Sequence, residues 1–355
     1  MLIPMQMNIN IGNKKIGNNS PCFIIAEAGV NHNGDVNLAK QLILKAKEAG
    51  ADCVKFQTFK AEQLVTPDAP KAIYQLKNTD PNESQIAMLK KLELSVDSYV
   101  ELIKLCKEID IIFMSTPYNY EDVEFLEKLN VGAYKLPSIS IVEPSFLEYV
   151  ANKNKPMIVS TGMATLNEVR DGVDTVISSG NQELIILHCT TNYPTPLSDV
   201  NLKAMKTIGD ELNVLFGYSD HTQKDVTCMT AVALGACVIE KHFTIDQNLP
   251  GPDQSSSYNP SQFKSFVQNI RNVELVLGSK IKKPSMAELN NMQVMRRSVV
   301  SCKLIPKQTI IDETMLALKR PANGLKPKFL KNIIGKTAKR DILENELVNE
   351  KDFLK

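Results

Sequence analysis

The sequence predicts an α/β protein, a (β/α)8 barrel followed by a small C-terminal domain. Three observations predict it. Eight short apolar runs recur between residues 22 and 244. Runs of that kind read as strands buried on both faces of a parallel sheet. Stretches of helical length, with apolar residues at helical spacing, lie between them. Past residue 278 the chain turns basic and polar, then gives way to short β-like runs with turn signals.

The strand candidates are CFIIAEAG (22–29), ADCVKFQT (51–58), DIIFMSTP (110–117), AYKLPS (133–138), PMIVSTG (156–162), LIILHCT (184–190), NVLFGYSDH (213–221) and CVIEKHFT (237–244). The first helix candidate, 35–50, has apolar residues at 38, 39, 42, 43 and 46 and stops at Gly50. EDVEFLEKLN, TLNEVRDGVDTVISSG, DVTCMTAVALG and PSQFKSFVQNIRNVELVLG behave alike. Eight strand–helix units in roughly 255 residues match the size of a (β/α)8 barrel. A doubly wound sheet usually has fewer strands, and no G-x-G-x-x-G follows the first run. The stretch after the second strand, about 59–83, is a long loop of the kind that carries function. The division reads as a barrel over 1–280, a linker over 281–294 and a small domain over 295–355.

Composition narrows the function. Apolar residues make up 43% and charged residues 23% of 355, ordinary for a soluble globular chain. The net charge of +1 gives no global pull toward nucleic acid or an anionic membrane. Seven scattered cysteines contain no C-x-x-C pair, which argues against a zinc ribbon. They fit reduced, buried thiols in a cytoplasmic protein. The N-terminus lacks the pattern of a signal peptide. No apolar stretch is long enough to span a bilayer.

Each strand ends in polar residues: Glu27; Lys55 and Gln57; Ser115 and Thr116; Lys135 and Ser138; Ser160 and Thr161; His188 and Thr190; Ser219, Asp220 and His221; Glu240, Lys241 and His242. In a parallel barrel these ends converge on one face, where barrel enzymes do chemistry. The last two strands are neighbours, so His221 and His242 can reach one point. Two imidazoles suit a divalent transition metal and leave coordination positions open for a Lewis-acid role. The bland reading is a pair of packed histidines. A lysine in an apolar run needs a partner for its charge, and an anionic ligand is the natural one for Lys55 and Lys135. Ser138, Ser160 and Ser219 supply hydroxyl donors for such a ligand. A Schiff-base lysine remains the alternative. LPGPDQ (249–254) presents Asp253 on a turn, and LKRPANG (318–324) presents Arg320 on a loop.

Together FIIAEAGVNHNGD, VKFQTFKA, STPY, YKLPS, STGMAT, HCTTNYPTP, GYSDHT, EKHFT, GPD and KRPANG, in that order, resemble the sialic acid synthase family, which includes N-acetylneuraminate and legionaminate synthases. The match runs from about residue 20 to the end, and the last 60 or so residues resemble the family's antifreeze-like (SAF) domain, a β-clip fold. The resemblance implies condensation of phosphoenolpyruvate with an N-acyl hexosamine, N-acetylmannosamine or a 2,4-diacetamido-6-deoxy hexose. The product is a nonulosonic acid, and phosphate leaves by C–O cleavage. It implies a divalent metal on His221 and His242, Mn2+ first, with Mg2+ or Co2+ as alternatives. Phosphoenolpyruvate is then expected on Lys55, Lys135, Ser138, Ser160 and Ser219, with Thr116 a further substrate-binding residue. The sugar or its aldehyde is expected on Glu27, Gln57, Asn78, Tyr193 and Asp253. Arg320 is expected to reach the sugar from the partner subunit of a domain-swapped homodimer. One position departs from the family pattern: Ser140 stands where K-x-x-S-G-E has its Glu. A serine cannot act as a general base in place of a carboxylate at neutral pH. A sugar-binding relative with impaired catalysis, or another aldol-type barrel lyase, is therefore kept as an alternative.

Overall fold

The computed structural model describes residues 8–354. A hairpin, β1 (Asn8–Ile11) and β2 (Lys14–Gly17), opens the chain. Eight parallel strands follow: β3 (Phe23–Gly29), β4 (Cys53–Thr58), β5 (Ile112–Pro117), β6 (Tyr134–Leu136), β7 (Met157–Ser160), β8 (Leu184–Cys189), β9 (Leu215–Asp220) and β10 (Val238–His242). Their order is β5-β4-β3-β10-β9-β8-β7-β6, and β5 and β6 lie side by side where the ring closes. This is the predicted barrel. Eight helices cover it: α1 (Val36–Glu48), α2 (Val96–Glu108), α3 (Tyr120–Lys128), α4 (Pro144–Ala151), α5 (Leu166–Ser178), α6 (Leu202–Leu212), α7 (Asp225–Ala233) and α8 (Pro260–Leu277).

Local sequence explains where the helices start. Asp35 caps α1 through the Asn37 N–H. Thr165 and Glu168 form a capping box on α5, and Asn259 and Gln262 form one on α8 ahead of Pro260. The predicted loop after β4 is long, but it contains three short helices, Ala61–Leu64, Ile73–Asn78 and Gln85–Lys90.

Period two divides each strand between two cores. Ile24, Ala26, Val54, Tyr134, Val159, Ile186 and Ile239 face outward into the layer shared with the helices. Phe23, Ile25, Cys53, Met114, Ile158, Ile185, Leu187 and Val238 face inward with Ile9, Ile11 and Ile16 of the hairpin. The barrel interior is thus packed with apolar side chains near the strand starts. The polar residues begin above that packing, toward the strand ends.

The chain divides into two compact units, Met1–Gly278 and Ser279–Lys355. The stretch 281–294 contains most of α9 (Met286–Met295), capped by Ser285. The second unit pairs β11 (Ser298–Ser301) with β12 (Leu316–Lys319). Its own core holds Val299, Ile305, Ile311, Leu325, Ile342, Val348 and Phe353. Short 3-10 turns join these pieces.

Candidate active site

A cavity of about 950 Å³ opens at the C-terminal ends of the barrel strands. Glu27, Lys55, Gln57, Asn78, Thr116, Lys135, Ser138, Ser160, Tyr193, Ser219, His221, His242 and Asp253 all line it. Arg320 belongs to the second unit, where it is exposed just past β12. Glu240 lines it as well, and the same period of two sorts Ser115, His188, Asp220 and Lys241 away from the cavity. Ser115 meets Thr58 at 2.6 Å, His188 Nε2 meets the Val200 carbonyl at 2.8 Å, and Lys241 pairs with Asp220 at 2.6 Å.

The floor of the cavity is a buried cluster of two lysines and two glutamates. Lys55 Nζ donates to Thr116 Oγ1 at 2.9 Å and lies 2.7 Å from Glu27 Oε2. That contact is a buried ion pair. Lys135 Nζ donates to Ser160 Oγ at 2.7 Å and to the Leu136 carbonyl at 3.1 Å. Glu240 stands between the lysines, 3.9 Å from Lys55 and 3.7 Å from Lys135, and accepts from Ser219 Oγ at 2.9 Å. Burial would raise Glu240, but Lys135 and Lys55 outweigh it and hold the carboxyl well below its usual range. Burial dominates at Glu27, and with Glu240 nearby pushes it up to about 7 against the pull of Lys55. Burial also lowers Lys135. Two cations therefore sit beside hydroxyls with their anions only partly engaged. An incoming anion meets a ready-made partner there.

The histidines lie at the rim, with ring centroids 5.4 Å apart and planes at 62°. His221 Nδ1 is 2.7 Å from the Thr190 carbonyl. A carbonyl only accepts, so Nδ1 carries the proton and Nε2 is left bare. Burial lowers both histidines, which keeps the rings neutral. His242 Nδ1 is buried with no hydrogen-bond partner. Asp253 Oδ2 is 4.0 Å from it, which with a neutral imidazole is not an ion pair. Neutral imidazoles with free nitrogens are what a divalent metal requires, and His221 also has the backbone anchor on its other nitrogen that such ligands commonly show. Among the described residues no group of three or more His, Cys, Asp or Glu is set to hold a metal. The two histidines alone fit one that keeps open positions.

Tyr193 covers the histidines, 4.2 Å from His221 and 5.8 Å from His242 between ring centroids. Tyr74, from the second short helix of the β4–α2 loop, lies 5.0 Å from Tyr193. Asn78 of the same helix donates to the Pro252 carbonyl at 2.9 Å beside Asp253. The loop thus forms one wall of the cavity. Gly162, at φ +46°, lets the chain after β7 pass close to Ser138, where a side chain would collide with Ser138 and Thr191.

Three features differ from the sequence reading. Glu240 was given no role, although it stands two residues before His242 and so shares its face. Tyr74, Tyr118 and Cys189 also line the cavity; alternation past Leu187 and Thr116 could have found Cys189 and Tyr118, while nothing in its spacing announces Tyr74. Ser140 does not occupy the place of a missing catalytic acid in the cavity. It lies in the 3-10 turn Ser138–Val142, fully buried, with no partner for its hydroxyl, while Ile139 takes the cavity edge. The turn breaks the strand's alternation, so position 140 points elsewhere. Glu143 is exposed at the start of α4.

Comparison with known proteins gives the family. The NeuB family model matches residues 42–282, and the SAF domain model matches residues 296–354. The N,N'-diacetyllegionaminic acid synthase of Campylobacter jejuni is 46% identical over 92% of this chain and 99% of its own. That of Legionella pneumophila is 48% identical over 91% of this chain and 92% of its own. Among solved structures, the N-acetylneuraminic acid synthetase of Leptospira borgpetersenii in complex with citrate superposes with a TM-score of 0.72 at 31% identity, covering 81% of this chain and 96% of that one. This chain belongs to the NeuB family and carries a SAF domain at its C-terminus.

Proposed function

We propose that this protein condenses phosphoenolpyruvate with an N-acyl hexosamine, giving a nonulosonic acid and phosphate. One observation carries the reading. Two inward-facing lysines with their serine neighbours lie beside two neutral, metal-ready histidines in one cavity. Among sugars, a 2,4-diacetamido-6-deoxy hexose is favoured over N-acetylmannosamine, because relatives at 46% and 48% identity are N,N'-diacetyllegionaminic acid synthases.

Lys55 and Lys135 hold the phosphate and carboxylate of phosphoenolpyruvate, with Thr116, Ser138, Ser160 and Ser219 as hydroxyl donors. His221 and His242 would hold a divalent cation, Mn2+ first, and the chemistry it would supply there is Lewis-acid polarisation of the sugar aldehyde. C3 of phosphoenolpyruvate attacks the aldehyde carbon and forms the C–C bond. Water adds at C2, and the C2–O bond to phosphate then breaks. Glu27, raised by burial to about 7, exchanges a proton near neutral pH, as this water addition needs. Gln57, Asn78, Tyr193 and Asp253 orient the sugar. Arg320 serves the sugar of a second copy of the chain in a domain-swapped homodimer. The proposed setting is the cytoplasm; among the described residues no helix is long and apolar enough to cross a membrane.

The test is incubation with phosphoenolpyruvate, Mn2+ and a panel of N-acyl hexosamines, with assays for phosphate and 2-keto acid. Stoichiometric release of both, fastest with the diacetamido sugar, is expected. Folded protein that yields no product from any sugar overturns the reading. A lysine adduct trapped by borohydride with pyruvate would favour a Schiff-base lyase instead.

A further inference from the structure

We infer that the buried Asp220–Lys241 ion pair, on the outer face of β9 and β10, is a positioning device for the two histidines on the inner face. The inference rests on the proposal that His221 and His242 hold a metal. Asp220 and Lys241 are directly opposite one another in the β9–β10 ladder. Each is the residue immediately before a histidine. Alternation turns the pair outward where it turns the histidines inward.

The contacts of Lys241 tie both histidine backbones together. Its Nζ donates to Asp220 Oδ2 at 2.6 Å and to the carbonyl of Thr222, the residue after His221. It also lies 4.3 Å from the ring centroid of Tyr258. Tyr258 in turn donates its backbone N–H to the His242 carbonyl at 2.8 Å. One ammonium thus fixes the chain just past His221 and packs on the residue that holds His242. Asp220 is saturated: Thr222 N–H at 2.8 Å, Thr227 Oγ1 at 3.0 Å, Tyr218 OH at 3.1 Å and Cys228 Sγ at 3.1 Å all donate to it.

Stability alone is a poor reason for such a pair. Replacing both members of a buried ion pair with neutral groups of similar shape is often neutral or stabilising. Register is the better-supported use: strong, directional, fully satisfied contacts leave one relative position for the two strand ends. Partners behind metal ligands commonly matter ten- to hundredfold in metal affinity.

The test measures Mn2+ binding to the full-length protein from the loss of the free-ion electron paramagnetic resonance signal. The variant is Asp220→Asn with Lys241→Met, which keeps net charge and approximate shape. Its Mn2+ Kd is expected to weaken ten- to hundredfold, while the Kd for phosphoenolpyruvate stays within twofold. A Mn2+ Kd within twofold of wild type overturns the inference. Should the double variant fail to fold, Thr227→Val decides. It removes one donor from Asp220 and is expected to weaken Mn2+ about threefold or more, with Thr227→Ser restoring it. No weakening in Thr227→Val overturns the inference equally. Wild-type protein without saturable Mn2+ binding overturns the metal proposal and this inference with it. Binding that is present but indifferent to the pair overturns only the inference.

Discussion

Two buried charge clusters lie on opposite faces of the barrel sheet, meeting at β10, and they are built differently. Outside the barrel, Asp220 and Lys241 satisfy one another and every neighbouring donor. Inside, Glu240 keeps an oxygen without a hydrogen-bond partner, Glu27 has its second oxygen only in the ion pair with Lys55, and His242 keeps a bare nitrogen. Buried polar atoms are normally paired, so unpartnered atoms that line a cavity are ones a ligand can engage. The difference separates scaffold from site without reference to residue type, since lysine and carboxylate occur in both.

The comparison breaks most visibly at two lysines. Lys241→Met leaves Asp220 buried and uncompensated, and is expected to cost about 3–5 kcal/mol of stability in urea denaturation. Lys135→Met removes a cation that burial already disfavours, from a cluster where Lys55 still faces Glu240. Its stability cost is expected to be less than half that of Lys241→Met. Its kcat/KM for phosphoenolpyruvate is expected to fall about a hundred- to a thousandfold, as when a preorganised donor is lost. Equal stability losses in the two variants would erase the distinction between the clusters.

His32 sharpens the comparison from a third place. It lies in the loop after β3, where Nδ1 accepts the Gly34 N–H at 3.0 Å and Nε2 is buried without a partner. It does not line the cavity, so no ligand relieves its unpaired atom. Burial lowers its pKa from 6.5 to about 4. The unfolded chain therefore binds a proton that the folded chain refuses between these values. The stability this neutral ring contributes is complete above pH 6.5 and is lost as pH falls toward 4. By pH 5 the loss is about 2 kcal/mol relative to pH 7.5. His32→Asn keeps an acceptor for Gly34 and removes the titration. Its denaturation midpoint is expected to fall less than that of wild type over the same range. Parallel pH profiles for the two proteins would rule out His32 as the cause.

Sequence made the strands legible because a strand buried on both faces is a continuous apolar run, and all eight runs became barrel strands. Helices α2, α4 and α6 were not singled out, and neither was the N-terminal hairpin, whose strands are only four residues each. The stretch read as a linker contains α9 because that helix buries none of its residues and shows no apolar stripe. The cavity floor was legible for the same reason as the strands: alternation carries residues two apart to one face. Lys55 and Gln57 obey it, and so do Ser219 and His221. Tyr74 was not legible, since it reaches the site from a helix inside a long loop. Ser140 was misplaced, since a 3-10 turn does not keep the alternation of the strand before it.

That turn supports the prediction with the smallest effect. If position 140 were a vacant catalytic post, Ser140→Glu would raise turnover. The structure gives it no opening to the cavity and no partner for a hydroxyl. Ser140→Ala removes a buried polar atom that pairs with nothing. It is expected to leave kcat within twofold and stability unchanged or higher by up to about 1 kcal/mol. Ser140→Glu buries a carboxylate beside apolar packing and is expected to lower the melting temperature without raising kcat. A gain in kcat from Ser140→Glu at unchanged fold would show that this turn can rotate into the site, and that the cavity's wall is set by more than the contacts holding it now. Absent that gain, the carboxylate proposed to handle the proton remains Glu27 on β3, and the side chains of β3, β4 and β10 hold their contacts without a carboxylate at position 140.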